Sequence, residues 1–256
     1  MKIAMLLGRG SSSAILANAV RAWYPSAELL LVVERPSSKR AMLRYRIRRL
    51  GTKVVFGQIL FQLMVVPLIR LGSKKRINEI MTKYCLDASA EVLTNAHYVT
   101  SINEAFVLDQ LVDFTPDVVL VNGTRIIKPN ILNCVDAVFI NTHVGITPMY
   151  RGVHGGYWAL WNGDQGNFGV TIHVADPGVD TGKSLRQVRI CPSHDDTFVT
   201  YPLLQQAEAL VALKDILSDL AGALATNEKP TANDFSRQWF HPTLVQYFRG
   251  RLRGVR

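Results

Sequence analysis

An amide, an imidazole and a carboxylate lie within residues 138–182, VFINTHVGITPMYRGVHGGYWALWNGDQGNFGVTIHVADPGVDTG. Asn141 can donate a hydrogen bond to a developing oxyanion. His143, two residues along the same strand end, points to the same side because side chains alternate with period two. It can move a proton or polarise a carbonyl. Asp180, from another loop, can orient the imidazole or hold a water, and Asp176 is the alternative carboxylate. This set suits acyl or formyl transfer to an amine and needs no metal. An N-x-H pair alone is common by chance, so the elements around it have to carry part of the argument.

Those elements read as an α/β chain. Lys2–Leu7 is a wholly apolar strand, as a buried parallel strand should be. It runs into Gly8-Arg9-Gly10-Ser11-Ser12-Ser13 and a helix over 14–22. A strand, a Gly/Ser loop and a helix can present backbone amides to an anion, so Gly10, Ser11 and Ser12 are candidate contacts to a substrate phosphate. A second strand is expected over 27–33, a short one over 91–94, and a helix over 103–113 with Ser101 as its N-cap. Strands follow at 118–121, 138–140, 169–174 and 185–190, with short helices at 130–133 and 157–161. Asp195 and Asp196 are expected to open a long helix to about residue 224. The tail reads as loop and then a short arginine-bearing helix. The alternation predicts a doubly wound, mostly parallel sheet of Rossmann-like form. Residues 1–225 are read as one catalytic domain and 226–256 as a short extension.

Residues 36–90 depart from the alternation. The stretch from Arg35 to Arg76 holds twelve Lys/Arg and no acid, so the net charge of +9 belongs to this region and the remainder is near −3. The apolar run Val54–Leu71 sits between its basic clusters. Gln58, Gln62, Pro67 and Arg70 argue against a spanning helix. A helical insert is expected, packed on the domain or lying on an anionic membrane surface through 36–76. Sparse aromatic interleaving argues against nucleic acid. Cys85, Cys134 and Cys191 form no CxxC pair, which predicts neither a disulfide framework nor a zinc site and suits a reducing cytoplasm. The first residues read as a strand in preference to a signal peptide.

The co-spaced motifs Asn141-Thr-His143, Pro148-x-Tyr150-Arg151-Gly152, Gly163-Asp164, Gly169-Val-Thr-Ile-His173 and Asp180-Thr-Gly182 resemble the formyltransferase family that uses 10-formyltetrahydrofolate. The likeness is strong over about 117–190, weaker over 1–34, and absent over 36–90 and after about 225. It implies that Asn141, His143 and Asp180 are catalytic. It also implies that Val121, Asn122, Gly123, Thr124, Arg125, Ile126 and Ile127 wrap the pterin ring of the donor. The segment 175–179, with Asp176 and Val179, would form the other wall. Tyr150 and Arg151 are candidate acceptor contacts or braces of their loop, and His154 is a candidate acceptor contact. His173, mid-strand, is read as packing, and Trp158 and Trp161 as core.

The family's tRNA branch implies a C-terminal β-barrel, which the last thirty or so residues do not resemble. The expected acceptor is therefore a phosphate-bearing amino sugar, nucleotide- or lipid-linked. The alternatives are an enzyme similar to methionyl-tRNA formyltransferase without that barrel, a formyltetrahydrofolate hydrolase, and a non-catalytic folate- or membrane-binding relative. A cytoplasmic location is expected, peripheral to the inner face of the membrane if the insert touches lipid.

Overall fold

The strand β1 (Lys2–Gly8) is an interior strand of the sheet, buried on both faces because its residues from Ile3 to Leu7 are all apolar. The computed structural model describes residues 1–36, 38–225 and 236–256. After β1 come α1 (Ser11–Trp23) and β2 (Glu28–Glu34). The insert follows as α2 (Lys39–Leu50), α3 (Thr52–Leu60), a π-helical turn (Phe61–Val65), α4 (Val66–Gly72) and α5 (Lys74–Lys83). Then come β3 (His97–Val99), α6 (Ala105–Phe114), β4 (Val118–Asn122), α7 (Pro129–Leu132), β5 (Val138–His143) and β6 (Arg151–Gly152). The chain continues through α8 (Gly155–Trp161), β7 (Gly169–Val174), β8 (Ser184–Arg189), α9 (Tyr201–Ser218) and α10 (Leu220–Ala225). Among the described residues β9 (Gln238–Trp239) and α11 (Leu244–Leu252) come last.

Seven strands form one sheet in the order β3-β2-β1-β4-β5-β7-β8. The first five are mutually parallel; β7 runs antiparallel to β5, and β8 to β7. The chain leaves β1 toward β2 on one side and returns to β4 on the other. That reversal opens a crevice at the carboxyl ends of β1 and β4, where such sheets bind ligands. Alternation along β1 sorts the core. Ile3, Met5 and Leu7 meet α1 and α9 on one face, while Ala4 and Leu6 meet Val107 and Leu111 of α6 on the other. A third cluster joins the insert to the C-terminal helix through Phe61, Ile80, Tyr157, Trp158, Trp239 and Tyr247.

Four local expectations need correction. Residues 91–94 do not form a strand: Ala90–Leu93 is a 3-10 turn started by Ser89, whose hydroxyl accepts from the Glu91 N–H, and the strand is His97–Val99. Ser101 does not cap α6, which starts at Ala105; its hydroxyl accepts from the Asn103 N–H in the preceding turn. Asp196 does not begin the long helix, because its buried carboxylate is taken by Arg76 and by the Ser193 N–H. That helix starts at Tyr201 and breaks at Asp219, whose φ of −140° interrupts it before α10. The tail also holds a strand, since β9 pairs with β6. The loop expected after residue 226 lies, over 226–235, outside the described residues.

Candidate active site

The carboxyl ends of β4 and β5 open on a cavity of about 420 Å³, a size suited to a small organic ligand. Val121 and Gly123–Ile127 line one side; Ala175, Asp176, Gly178, Val179 and Asp180 line the other; Asn141 and His173 line its floor. Tyr45 reaches it from α2 and Gln238 from β9, two walls that no motif in the sequence marks. Larger cavities of about 740 and 700 Å³ lie elsewhere, away from the sheet's carboxyl edge.

Two short-range facts shape the Val121–Ile127 loop. Gly123 adopts φ +69° and crosses over Gly8 so closely that a Cβ on Gly8 would lie 2.1 Å from the Gly123 carbonyl oxygen. Glu34, buried at the end of β2, then clamps the loop. Its carboxylate accepts from the Arg125 N–H at 2.9 Å and from the Ile102 N–H at 2.9 Å, and pairs with the Arg125 guanidinium at 3.5 Å. The guanidinium also donates to the Thr100 carbonyl. Asn122 is the exception in this loop. It turns away from the cavity and donates to the hydroxyls of Ser12 and Ser13. Gly10, Ser11 and Ser12 accordingly sit exposed at the start of α1 beside Asn122 and do not line this cavity.

The three expected chemical groups meet. The Nδ1 of His143 lies 3.4 Å from Oδ2 of Asp180, and its Nε2 lies 2.8 Å from the Tyr150 carbonyl. A carbonyl only accepts, so the neutral ring carries its proton on Nε2 and turns the Nδ1 lone pair toward Asp180. Burial pushes His143 below the ordinary histidine range, and the Asp180 charge opposes that shift. Burial pushes Asp180 up. The imidazoles of His173 and His143 and the Gly152 N–H, which donates to Oδ2 at 3.0 Å, outweigh burial and hold its carboxyl below the usual range. A proton arriving at Nδ1 would therefore be shared with a carboxylate already in place.

His173 is not packing, contrary to the expectation from its mid-strand position. It faces Asn141 directly across the β5–β7 pair. Its Nδ1 donates to the Val174 carbonyl at 2.9 Å, so its Nε2 accepts from the Asn141 amide at 3.0 Å. That bond fixes the Asn141 amide and leaves one N–H free for another acceptor. His173 Nε2 also lies 3.7 Å from Asp180. Strand register, which a single strand's sequence does not encode, brings this residue to the site.

Other expectations divide. Arg151 donates to the Val179 carbonyl at 3.0 Å and braces the loop that carries Asp180. Asp180 itself has φ +52°, a left-handed backbone that such bracing sustains. Asp176 lines the cavity but closes its own turn, accepting from the Gly178 N–H and the Thr181 hydroxyl, so the carboxylate beside His143 is Asp180. Tyr150 does not reach the cavity. It is buried, with its hydroxyl donating to Asp164 at 2.8 Å and its ring stacked on Trp239. His154 also points elsewhere, packing on Phe198 with its Nε2 3.1 Å from Nδ1 of His241. Burial lowers His154 to about 3 and His241 to about 4, so the pair is held by one shared proton between neutral rings. Trp158 is core, as expected, and donates to the Phe240 carbonyl. Trp161 is partly buried and donates to the Gln246 carbonyl. Among the described residues no cluster of His, Cys, Asp and Glu has the form of a metal site.

Comparison with known proteins points to one family. A family model described as formyl transferase matches residues 1–211. A methionyl-tRNA formyltransferase of Desulfotalea psychrophila is 37% identical over 91 residues, 35% of this chain and 28% of that protein. A GDP-perosamine N-formyltransferase of Brucella melitensis is 29% identical over 109 residues, 42% of each chain. The chain thus spans less than half the length of these curated relatives. Among solved structures, a glycinamide ribonucleotide transformylase from Symbiobacterium toebii superposes with a TM-score of 0.56 at 17% identity, over 90% of this chain and 92% of that one. A sugar N-formyltransferase from Shewanella gives 0.56 at 17% identity, over 99% and 87%. At that identity the solved structures establish the shared fold.

Proposed function

The chain belongs to the formyl transferase family, and from that premise we propose that it moves a formyl group from 10-formyltetrahydrofolate to the primary amine of a phosphate-bearing amino sugar. The observation that carries the reading is the convergence of Asn141, His143 and Asp180 beside a cavity at the sheet's carboxyl edge. The donor supplies an activated formyl carbon. The cavity suits its flat ring, with Val121, Ile126 and Ile127 giving apolar surface and the 123–125 backbone giving polar groups.

This chain's own residues do the rest. The free N–H of Asn141, aimed by His173, donates to the formyl oxygen as negative charge develops there. The Nδ1 of His143 takes the proton that the attacking amine loses, and Asp180 stabilises the imidazolium that results. That proton is then available to the nitrogen from which the formyl group departs. Holding donor and amine in one cavity removes much of the entropic barrier.

Two observations favour an anionic amino sugar as acceptor. Tyr45 and Arg49 share one face of α2 at helical spacing; Tyr45 lines the cavity and Arg49 donates to Gln238 at 2.7 Å, which lines it too. The neighbouring Arg44 and Arg48 are exposed, a charge pattern suited to a diphosphate. The relative that acts on GDP-perosamine agrees with this choice.

The test is an assay with 10-formyltetrahydrofolate and a panel of nucleotide-linked amino sugars, with methionyl-tRNA as a further acceptor. The expected result is release of tetrahydrofolate together with an amino sugar heavier by CO. Formylation of methionyl-tRNA alone, or formate release regardless of amine, would overturn the acceptor assignment.

The clamp on the donor side gives a separate expectation. Glu34→Ala leaves the Ile102 and Arg125 N–H groups without their carboxylate, at a cost of about 1–3 kcal/mol for the buried donor. The 123–127 loop loosens, so KM for the folate should rise while kcat changes little. Steady-state kinetics alongside a thermal melt check both; an unchanged KM would show that the clamp does not shape the donor pocket.

A further inference from the structure

The insert has a face that nothing in the fold covers. Its α3, π turn and α4 make one continuous helix over Thr52–Gly72, 21 residues long and apolar enough to cross a bilayer, yet only 17% of its most apolar stretch is buried. The buried side is Val55, Gln58 and Phe61, three residues apart each time. Phe61 sits against Phe198 and Tyr247 at 4.9 Å, and Gln58 accepts from Arg46 and donates to the His241 carbonyl. The open side carries Phe56, Leu63, Met64, Leu68 and Leu71, each 60–71% exposed. Beside it, α11 adds Val245, Phe248 and Leu252 at helical spacing, all exposed. Phe248 shares a groove with Ile69 and Gly72, so the two stripes are continuous. An apolar surface of this extent marks an interaction site.

The charges say what kind. No acid occurs from Arg35 to Arg76, and of its twelve cations only Lys75 and Arg76 form ion pairs among the described residues. Lys53 and Lys74 stand exposed at the two ends of the apolar helix, Arg70 within its last turn, and Arg249 and Arg251 on α11. An apolar stripe rimmed by unpaired cations matches a surface that is apolar inside and anionic outside. Gln58 and Phe61 bind the other side of the helix to the domain, an arrangement that suits lying flat on such a surface and not spanning it.

We propose that this face docks on an anionic lipid bilayer, with the Thr52–Gly72 helix in the plane of the interface, Leu63 and Leu68 in the acyl boundary, and Lys53, Arg70 and Lys74 at lipid phosphates. The insert that rests on lipid is the one that supplies Tyr45 to the cavity, so catalysis takes place beside the membrane. The docking reads no turnover and stands whether or not the acceptor is an amino sugar.

Flotation of the full chain tests it, with vesicles of phosphatidylcholine alone and of roughly three parts phosphatidylcholine to one part phosphatidylglycerol. The protein should float with the anionic vesicles, and bind about 10-fold less to the neutral ones or at high salt. Leu63→Asp with Leu68→Asp should abolish flotation and leave the thermal melt unchanged, since both side chains are already in solvent. Lys53→Glu with Lys74→Glu, which touches no packed residue, should weaken binding to the anionic vesicles and reduce its salt dependence. Failure to float with either vesicle, or flotation indifferent to both pairs of substitutions, would overturn the proposal. So would resistance to alkaline carbonate extraction, which indicates spanning. A dimer that buries this face and is dispersed by Leu63→Asp/Leu68→Asp would overturn it as well.

Discussion

Asp180→Asn should cost formyl transfer about 100- to 10,000-fold in kcat/KM while leaving the fold intact. The substitution keeps size and shape, and an amide oxygen can still accept from the Gly152 N–H that now binds Oδ2. What disappears is the negative charge 3.4 Å from Nδ1 of His143. That charge is the main influence opposing burial in setting the protonation of His143. Without it, a proton taken by His143 from the amine is left uncompensated in a buried site. The pH profile gives a second readout with a definite sign. His143 accepts the proton in its neutral form, so activity falls on the acid side of its pKa. Removing Asp180 lowers that pKa further, and the acid limb of kcat/KM should move to lower pH. Asn141→Ala should cost roughly 100- to 1,000-fold without moving the limb, because it removes an oxyanion donor and no charge. A rate within twofold of the parent for Asp180→Asn, or an acid limb displaced upward, would refute the role given to the pair.

The largest expected loss of stability comes from Arg76→Met. Asp196 is wholly buried, and Arg76 grips it with Nε at 2.8 Å and Nη2 at 3.1 Å. The pair ties α5 of the insert to the turn before α9. Breaking a buried pair from one side strands a charge and costs about 3–5 kcal/mol, which in a chain of this size lowers Tm by roughly 10 °C. The sign of the pH effect follows from the Asp196 carboxyl. Burial raises its pKa, but the Arg76 bond and the Ser193 N–H outweigh burial and hold it low. A depressed carboxylate stabilises the fold above its unfolded pKa, near 3.9, and loses that contribution as pH falls toward the folded value. In Arg76→Met the depression shrinks, so acid unfolding should begin at higher pH. Asp196→Asn in the same background should restore part of the loss, because no buried charge is then left alone. Thermal and urea melts across pH decide it; a Tm within a degree or two of the parent would show that the Ser193 N–H and the Thr200 hydroxyl, which donates to Asp196 at 3.1 Å, suffice for the carboxylate.

The site was legible in the sequence to the extent that it depends on motifs local in the chain. Asn141 and His143 are two apart on one strand, and Asp180 closes the same stretch, so residue type and spacing suggested the group and the co-spaced motifs around it carried the assignment. The parallel strands were legible for the same reason: β1 and β4 are continuous apolar runs, and burial on both faces leaves no other pattern for them. The insert was legible as helical and basic.

What the sequence did not reveal depends on partners distant along the chain. His173 looked like packing until antiparallel register set it opposite Asn141. Tyr150 and His154 looked like acceptor contacts because they flank Arg151-Gly152 in a loop, but a tyrosine hydroxyl and an imidazole go where their buried partners are, and those are Asp164 and His241. Asp196 looked like a helix start until Arg76, 120 residues away, was seen to hold it. The sequence by itself determined the α/β class, the family resemblance and the three chemical groups, since those follow from periodicity and local spacing. Only the tertiary structure decided which histidine aims the Asn141 amide, which turn carries the carboxylate, and that one side of the Thr52–Gly72 helix is left bare. Hydrogen-bond partners and exposure are properties of pairs of distant segments, and no single segment of the sequence contains them.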